Sequence, residues 1–288
     1  MTWAIAVHGG AGEWEEGLRD RARAGVSIAV KHGGSLLHEG ASALDAVTAA
    51  VVVLEDDPLF NAGTGSVLNR DGEVEMDASV MTGHDLGFGA VAAIRRVRNP
   101  VLVARCVLER SAHALLAGEG AVVFARAHGF GDYDPITSEA RAAYRRARTG
   151  LRLGTVGAVA LDAEGRLAAA TSTGGMLLKL PGRVGDTPVP GAGTYATEHA
   201  AVSATGKGEL TMRFVAAKSI CDLVASGVHV QEAIGRVLVR MRDTVGGDAG
   251  FISVGRDGSI GIDHGTPHMA AAWWTSEQRE IVATMRRG

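Results

Sequence analysis

The apolar positions of the chain form short runs and helix-length stripes, which predict strands that alternate with helices. Residues 4–7 predict a buried strand that stops at an HGGAG turn. Helices are predicted over about 16–32 and from Ser42 onward, where Asp45 completes a capping pair. The apolar stripe of the second helix consists of Leu44, Val47, Val51 and Leu54. Both helices are expected to pack on a sheet.

The next part of the chain continues this alternation. Strand-like segments flank an RDGE turn at 70–73, and the apolar run GFGAVAAI at 87–94 has the length of a strand. Asn99 and Pro100 stand in the cap and first-turn positions of a further helix, and another helical stretch ends near His128.

Residues 131–154 interrupt the apolar pattern with a polar, arginine-rich segment, which predicts an exposed linker. The elements predicted after it are a buried hairpin over 155–162 and 166–175, helices over about 208–226 and 229–243, and a second hairpin over 250–263. This order of elements favours an α+β fold, a four-layer sandwich in which two packed sheets lie between outer helices.

The composition is that of a globular protein with evenly mixed charges. The 288 residues are 46% hydrophobic with a net charge of −3, so neither nucleic acid nor an anionic membrane is an expected partner. Cys106 and Cys221 lie in predicted helices without a CxxC pair and are interpreted as core residues. The sequence has no signal-peptide pattern and no apolar run of about eighteen residues, which favours a cytoplasmic location.

Motifs of common hydrolase and nucleotide sites are missing from the sequence, which has no GxSxG elbow, no HExxH and no phosphate loop with its lysine. His8 in HGGAG is interpreted as a structural turn residue rather than a base. The 40 glycines gather in short clusters. Because glycine accumulates where the main chain turns sharply or approaches a ligand, chemistry is expected at these clusters.

The Gly154–Thr155 junction joins the predicted linker to a buried strand. If the peptide bond before Thr155 were cut, its free α-amine would have a reference pKa of about 7.7 to 8.0 and could act as the base for its own hydroxyl. Gly154 suits such a cut, since a residue without Cβ tolerates a strained backbone. By itself the dipeptide is weak evidence, because it also marks an ordinary turn before a strand.

Long segments of the chain resemble the plant-type L-asparaginase and isoaspartyl peptidase family. The matching segments are HGGAG at 8–12, PLFNAGTGSVLN at 58–69, EMDASVMTG at 75–83, GTVGAVALD at 154–162, TSTGGMLLKLPGRVGDTPVPGAGTYA at 171–196 and ATGKGE at 204–209. The resemblance implies the αββα sandwich of N-terminal-nucleophile (Ntn) hydrolases in one domain over 1–288. It also implies autoproteolysis into an α chain 1–154 and a β chain 155–288, and a homodimer of such pairs. The implied substrate is L-asparagine or a β-aspartyl dipeptide, with no cofactor for catalysis.

The resemblance also implies roles for single residues. Thr155 corresponds to the nucleophile, and Thr173 to the hydroxyl that orients it. Arg183 and Asp186 of GRVGD correspond to the pair that binds the substrate's α-carboxylate and α-ammonium, which agrees with the hydrogen bonding of guanidinium and carboxylate groups. The alternative for this pair is a surface salt bridge.

The resemblance also implies roles for residues of two glycine-rich motifs. Thr205 and Gly206 of ATGKGE correspond to the oxyanion hole, and Gly208 to the same substrate loop. Asn61 of NAGTG corresponds to a positioning residue near the nucleophile. Lys207 is interpreted as a possible partner for the carboxylate of a dipeptide's leaving group, the alternative being that its ammonium faces water.

A sodium ion is implied in the loop from Leu54 to Thr64, bound mainly by backbone carbonyls. Its candidate ligands are Leu54, Glu55, Asp57, Phe60, Ala62 and Thr64. The alternative is that Glu55, Asp56 and Asp57 form a solvated helix end.

The sequence is also compatible with two other functions. A glycosylasparaginase-like hydrolase would share the nucleophile and the GRVGD loop, although Gly rather than Asp before Thr155 and the HGGAG start favour the asparaginase branch. An uncleaved, inactive binding protein would keep the fold without its chemistry.

Overall fold

The computed structural model of this chain describes residues 2–146 and 154–286. The strands are β1 (Ala4–Gly12), β2 (Met76–Thr82), β3 (Phe88–Ile94), β4 (Leu115–Ala117), β5 (Val156–Leu161), β6 (Leu167–Thr173), β7 (Thr194–Ala196), β8 (Ala200–Gly206), β9 (Ala249–Gly255), β10 (Ile260–His264), β11 (His268–Thr275) and β12 (Val282–Thr284). The helices are α1 (Glu16–His38), α2 (Ala43–Asp56), α3 (Pro100–Arg110), α4 (Gly118–Ala127), α5 (Ser138–Arg146), α6 (Gly208–Phe214), α7 (Ala216–Ala225) and α8 (Val230–Val245). The α+β class predicted from the sequence is confirmed.

The strands form two sheets. The larger has the order β12-β11-β1-β5-β6-β2-β3-β4 and is antiparallel except for the parallel pair β3 and β4. The smaller has the order β10-β9-β8-β7 and is antiparallel throughout. Strand β5, which begins one residue after Thr155, therefore lies in the middle of the larger sheet.

Three apolar clusters hold these elements together. The first packs α1, α2 and α3 against one face of the larger sheet, the second lies between the two sheets, and the third packs α7 and α8 against the smaller sheet. Successive residues of β5 alternate between clusters, with Ala158 and Ala160 in the first and Val159 and Leu161 in the second. Because both faces of β5 are covered, its sequence is a continuous apolar run.

Local signals in the sequence specify several of these elements. Ser42 caps α2 by accepting a hydrogen bond from the N–H of Asp45 at 3.2 Å, as the capping pair predicted. The predicted helix over 208–226 is two helices, because Val215 takes a left-handed conformation with φ of 52°.

The structure corrects two local predictions. No strand directly adjoins the 70–73 turn on its N-terminal side within the described residues, since residues 57–69 contain none. The Asn69 side chain accepts from the N–H groups of Asp71 and Glu73 at 3.0 Å each and folds this segment as a loop. His8 lies inside β1 and is not a turn residue, since β1 continues through HGGAG while it pairs with β11 and β5.

The predicted linker contains helix α5. The hydroxyl of Thr137 accepts from the N–H of Ala140 at 3.0 Å, and Ala140 is buried. The phenol of Tyr144 donates to the carbonyl of Arg70 at 3.0 Å and fixes the last turn of α5 to the 70–73 loop. The remainder of the predicted linker, residues 147–153, lies outside the described residues.

Within residues 2–146 and 154–286, no helix combines the length and the apolar character needed to cross a membrane.

Candidate active site

The hydroxyl groups of Thr155 and Thr173 meet at one end of the β5–β6 hairpin. Val156 pairs with Ser172 in this hairpin, so the residues just outside that pair, Thr155 and Thr173, lie side by side. The Thr155 hydroxyl donates to Oγ1 of Thr173 at 3.2 Å, and the same oxygen accepts from the N–H of Gly175 at 2.9 Å. Both threonines are buried. The sheet register thus supplies a pair of hydroxyls of which one can orient the other.

A narrow cleft opens beside this pair of threonines. Its lining consists of Gly154, Thr155, Thr173, Gly175, Met176, Arg183, Asp186, Gly206 and Gly208. Seven of these nine residues come from the set predicted from the sequence. Gly175 and Met176 were not predicted, and the predicted residues Thr205 and Asn61 stand outside the lining.

Arg183 lines this cleft, and Glu209 holds its guanidinium in place. Its Nε and Nη2 each donate to one carboxylate oxygen of Glu209 at 3.0 Å, which is a bidentate geometry. The Nη1 group lies on the side of Gly175, 3.3 Å from where a Cβ of that residue would stand. Glu209 belongs to the ATGKGE segment but received no role from the sequence. One edge of the Arg183 fork is thus fixed and its Nη1 faces the cleft.

Asp186 is a buried carboxylate with an unused acceptor. Its Oδ2 has no hydrogen-bond partner among the residues that the structure describes. Burial raises the pKa of Asp186 to about 6, although the Thr211 hydroxyl and the Arg183 charge partly oppose that rise. A side chain at Gly208 would place its Cβ 2.8 Å from Oδ1, so only glycine fits there. This arrangement leaves an anionic acceptor in the cleft for a cationic group.

Buried charges support the loop that carries Arg183 and Asp186. The carboxylate of Asp77 accepts from the N–H of Gly185 at 2.9 Å and from that of Ala93 at 2.8 Å. Lys179 donates to the carbonyl of Glu75 at 2.6 Å. The EMDAS segment was matched from the sequence without a role for Asp77, because its partner lies 108 residues away.

Thr205 and Gly206 end strand β8 beside the HGGAG segment. The Thr205 hydroxyl accepts from the N–H of Ala11 at 3.1 Å, which leaves its own proton available for donation. Gly206 lines the cleft with φ of 144°, and a Cβ there would stand 3.0 Å from Cα of Ala249. The two residues lie next to the cleft, as the oxyanion-hole hypothesis requires.

Asn61 fixes the turn that follows Thr173. Its side-chain amide donates to the carbonyl of Gly175 at 2.7 Å, and its backbone carbonyl accepts from the N–H of Gly174 at 2.8 Å. Its Cβ lies 3.4 Å from where a Cβ of Gly154 would stand. Asn61 therefore lies between the turn after Thr173 and the Gly154–Thr155 junction, and its predicted positioning role stays a prediction.

Comparison with known proteins identifies the family of this fold and cleft. The family profile described as asparaginase matches residues 1–284. The chain belongs to the asparaginase family. This confirms the resemblance drawn from the sequence.

Relatives of the asparaginase family match the chain over nearly its whole length. A plant-type L-asparaginase of Pyrococcus horikoshii is 45% identical, covering 96% of this chain and 98% of the relative. An isoaspartyl peptidase/L-asparaginase of Xenopus laevis is 44% identical, covering 98% and 95%. An isoaspartyl peptidase of Escherichia coli is 44% identical, covering 93% and 92%.

The HGGAG segment of this asparaginase-family chain packs directly against the Gly154–Thr155 junction. Gly10 has φ of 108°, and a Cβ there would stand 2.7 Å from Cα of Gly154. His8 shares a hydrogen bond of 2.9 Å with the Ser203 hydroxyl, and burial lowers its pKa to about 3. His8 is therefore neutral at physiological pH and joins the two sheets.

The 54–64 loop, where the family resemblance implies sodium, is closed by its own backbone. The N–H of Thr64 donates to the carbonyl of Glu55 at 2.8 Å, and that of Phe60 donates to the carbonyl of Asp57 at 3.1 Å. The Glu55 side chain is buried, accepts from the N–H of Val101 at 3.0 Å, and has a pKa raised to about 8 by burial. The solvated-helix-end alternative therefore does not describe Glu55. Two of the predicted carbonyl ligands, those of Glu55 and Asp57, accept these backbone hydrogen bonds, and the sodium site stays a prediction.

Proposed function

We propose that this chain is an amidohydrolase that cuts itself before Thr155 and then hydrolyses L-asparagine, β-aspartyl dipeptides, or both. The observation that carries the proposal is the Thr155–Thr173 hydroxyl pair in a cleft that is also lined by Arg183 and by Asp186, whose Oδ2 has no hydrogen-bond partner among the described residues. Relatives that bear the names L-asparaginase and isoaspartyl peptidase support both substrates.

Self-cleavage begins when the Thr155 hydroxyl attacks the carbonyl carbon of Gly154. The peptide C–N bond breaks, the proton of the hydroxyl passes to the nitrogen, and Gly154 is left as an ester on Oγ1 of Thr155. Water then hydrolyses the ester and releases residues 1–154 from residues 155–288. The new α-amine of Thr155, with a reference pKa of about 7.7 to 8.0, can accept the proton of its own hydroxyl.

Turnover uses the same nucleophile on a free substrate. Arg183 binds the α-carboxylate and Asp186 the α-ammonium, so the side-chain amide faces Oγ1 of Thr155. As the hydroxyl attacks, the oxyanion accepts from Thr205 and Gly206, where loss of one donor costs about 3 to 4 kcal/mol. The leaving nitrogen takes the proton from the Thr155 amine, and water hydrolyses the aspartyl ester with that amine as base.

Several wider features of the proposal follow from the family. The helix, sheet, sheet and helix arrangement forms the αββα sandwich of Ntn hydrolases in a single domain. Two cleaved chain pairs form the homodimer. The cytoplasmic location does not come from the family and stays the prediction made from the sequence. A sodium ion bound by the 54–64 loop would brace the segment that ends at Asn61, and no catalytic step uses it.

The test of this function is a direct assay of purified protein. Aspartate release is measured from L-asparagine, from β-aspartyl-leucine and from an N-glycosylated asparagine. The proposal expects turnover of at least one of the first two and little of the third. Turnover of the glycosylated substrate alone would support the glycosylasparaginase alternative, and turnover of none would support an inactive binding protein.

The pH dependence of kcat/KM is expected to show two ionisations. Activity rises as the pH increases through about 6, because Asp186 must be ionised to bind the α-ammonium. It rises again through about 7.7 to 8.0 as the Thr155 amine loses its proton. In a plot of log kcat/KM between pH 5 and pH 9, the slope below about pH 6 should be steeper than the slope between about pH 6 and pH 7.7. A flat profile between pH 5 and pH 7 would contradict both assignments.

Lys207 is expected to have only a small effect on substrate choice. It is exposed and stands outside the cleft lining, where its charge helps to lower the pKa of Glu209. The structure thus gives its ammonium no contact with the cleft, and an exposed ion pair contributes about 0.5 to 1 kcal/mol at most. Lys207→Thr should change kcat/KM on isoaspartyl dipeptides by less than about fivefold. A larger, salt-sensitive loss on dipeptides alone would restore the leaving-group hypothesis.

A further inference from the structure

A second cavity of about 90 Å³ borders Gly154, as the catalytic cleft does. Gly154 is the one described residue that the linings of the two spaces share. The volume is several times that needed for one ordered water. Apart from Asn61, which holds the turn after Thr173, the side chains that line this cavity have no part in the catalytic mechanism described above.

The direction of the leaving group leads into this space. In turnover the Thr155 amine donates its proton to the leaving nitrogen, so that nitrogen must lie on the amine side of the nucleophile. Before cleavage Gly154 occupies that side, because its carbonyl carbon is bonded to the Thr155 nitrogen that later becomes the α-amine. The second cavity also borders Gly154, so we expect a residue attached to the leaving nitrogen to reach this cavity once Gly154 has been released.

The walls of the cavity are apolar and its rim is acidic. Trp14 forms one wall, held by its indole N–H, which donates to the carbonyl of Gly10 at 3.1 Å, and by an edge contact with Phe60. The other apolar residues of the lining are Leu18, Pro58, Leu59, Val67, Ala140 and Ala143. Three acidic residues, Glu13, Glu15 and Glu139, also line the cavity, together with Asn61, Thr137, Gly9, Gly65 and Gly154. These three glutamates are exposed at the surface.

Two arginines lie near the cavity. Arg19 donates to the carbonyl of Trp14 at 3.1 Å, and Arg21 pairs with Asp57 at 3.2 Å while its charge also helps to lower the pKa of Glu139. Among the residues that the structure describes, no Lys, Arg or His borders the cavity. A long basic side chain could lay its methylene groups along the apolar wall and keep its charge at the acidic rim.

We propose that this cavity binds the leaving residue of β-aspartyl peptides and makes the enzyme prefer a basic leaving residue to an acidic one. The inference rests on the proposed function and names its substrate class. The rim charges are exposed, so the preference is expected to be modest, with kcat/KM about fivefold higher for β-aspartyl-lysine than for β-aspartyl-glutamate. Both dipeptides have the same terminal carboxylate, so their comparison isolates the side chain.

The test measures kcat/KM of mature protein on β-aspartyl-lysine, β-aspartyl-leucine, β-aspartyl-glutamate and L-asparagine, at low and moderate salt. In the Glu13→Gln/Glu15→Gln/Glu139→Gln variant, the preference for lysine over glutamate should fall to within about twofold, as it should in wild type when salt is added. The matched control is Glu164→Gln, whose charge lies in the turn at the far end of the β5–β6 hairpin and should keep the preference.

A second variant tests the space itself. Ala143→Phe places a ring in the cavity and should lower kcat/KM about tenfold on all three dipeptides, while Ala142→Phe, one residue away on α5 and outside the lining, should not. L-Asparagine releases ammonia, which does not reach the cavity, so its turnover should stay within about twofold in every variant. Chain cleavage and thermal unfolding establish that each variant is folded.

The outcomes separate this inference from the proposed function. Wild type that turns over dipeptides without a preference for lysine, or an Ala143→Phe loss that is equal for dipeptides and L-asparagine, would overturn the leaving-residue site and leave the proposed function standing. Turnover of L-asparagine but of no dipeptide would also overturn it. Failure to hydrolyse any of the four substrates would instead overturn the proposed function.

Discussion

Thr155→Ala protein is expected to stay a single chain of 288 residues and to lose at least about 10⁴-fold in kcat/KM on every substrate. The variant lacks the hydroxyl that attacks Gly154, and it consequently never gains the α-amine that would act as base. Denaturing electrophoresis measures the cleavage, and aspartate release measures the turnover. Thr155→Ser is the matched control, because it loses only the methyl group and keeps the hydroxyl. This variant should still cleave itself before residue 155, although more slowly.

Thr173→Val tests the same hydroxyl pair from the other side. It removes the oxygen that accepts from Thr155 at 3.2 Å and keeps the volume of the side chain. For Thr173→Val, unchanged turnover would show that the hydroxyl pair is only a contact between strands.

For Thr155→Ala, full cleavage and full turnover would disprove the assignment of Thr155 as the nucleophile.

Arg183→Ala and Asp186→Asn are expected to separate turnover from self-cleavage. Both side chains bind the free substrate, whereas the peptide bond before Thr155 is already held in place by the chain. We expect kcat/KM to fall by at least about 100-fold in each variant, with most of the protein still cleaved. The exposed pair of Arg236 and Glu232 on α8 supplies the control Arg236→Ala, which should change neither.

Asp186→Asn also has an expected sign for stability. The folded-state pKa of Asp186 is raised from 3.8 to about 6, so ionisation destabilises the fold progressively as the pH rises from about 4 to above 6. Asparagine cannot ionise, so the variant should be at least as stable as wild type at pH 7.5, by up to about 3 kcal/mol. Thermal unfolding at pH 7.5 and pH 4.5 measures this difference. A variant that is strongly destabilised at pH 7.5 would mean that Asp186 has a structural role.

The sequence predicted those parts of the site that depend on local pattern. A buried hairpin with its turn at 162–165 fixes the register, and the register alone brings Thr155 next to Thr173. The family resemblance added the roles of Thr173, Arg183 and Asp186, and the structure brings all three residues to that cleft.

Contacts that depend on long-range packing could not be predicted in the same way. The anchoring of Arg183 by Glu209 joins a loop to the first turn of α6, 26 residues along the chain. The support of Gly185 by Asp77 joins segments 108 residues apart. No local pattern in the sequence indicates these long-range hydrogen bonds. His8 shows the same limit, since glycines after it indicated a turn, while pairing with two neighbouring strands keeps β1 extended.

The central claim is that Thr155 becomes a chain terminus, and an intact mass spectrum of mature wild-type protein under denaturing conditions tests it most directly. The account predicts two masses, those of residues 1–154 and 155–288, in a sample that releases aspartate from L-asparagine or a β-aspartyl dipeptide. A single mass for the uncut chain of 288 residues in a sample with the same activity would contradict it, because the proposed base would not exist.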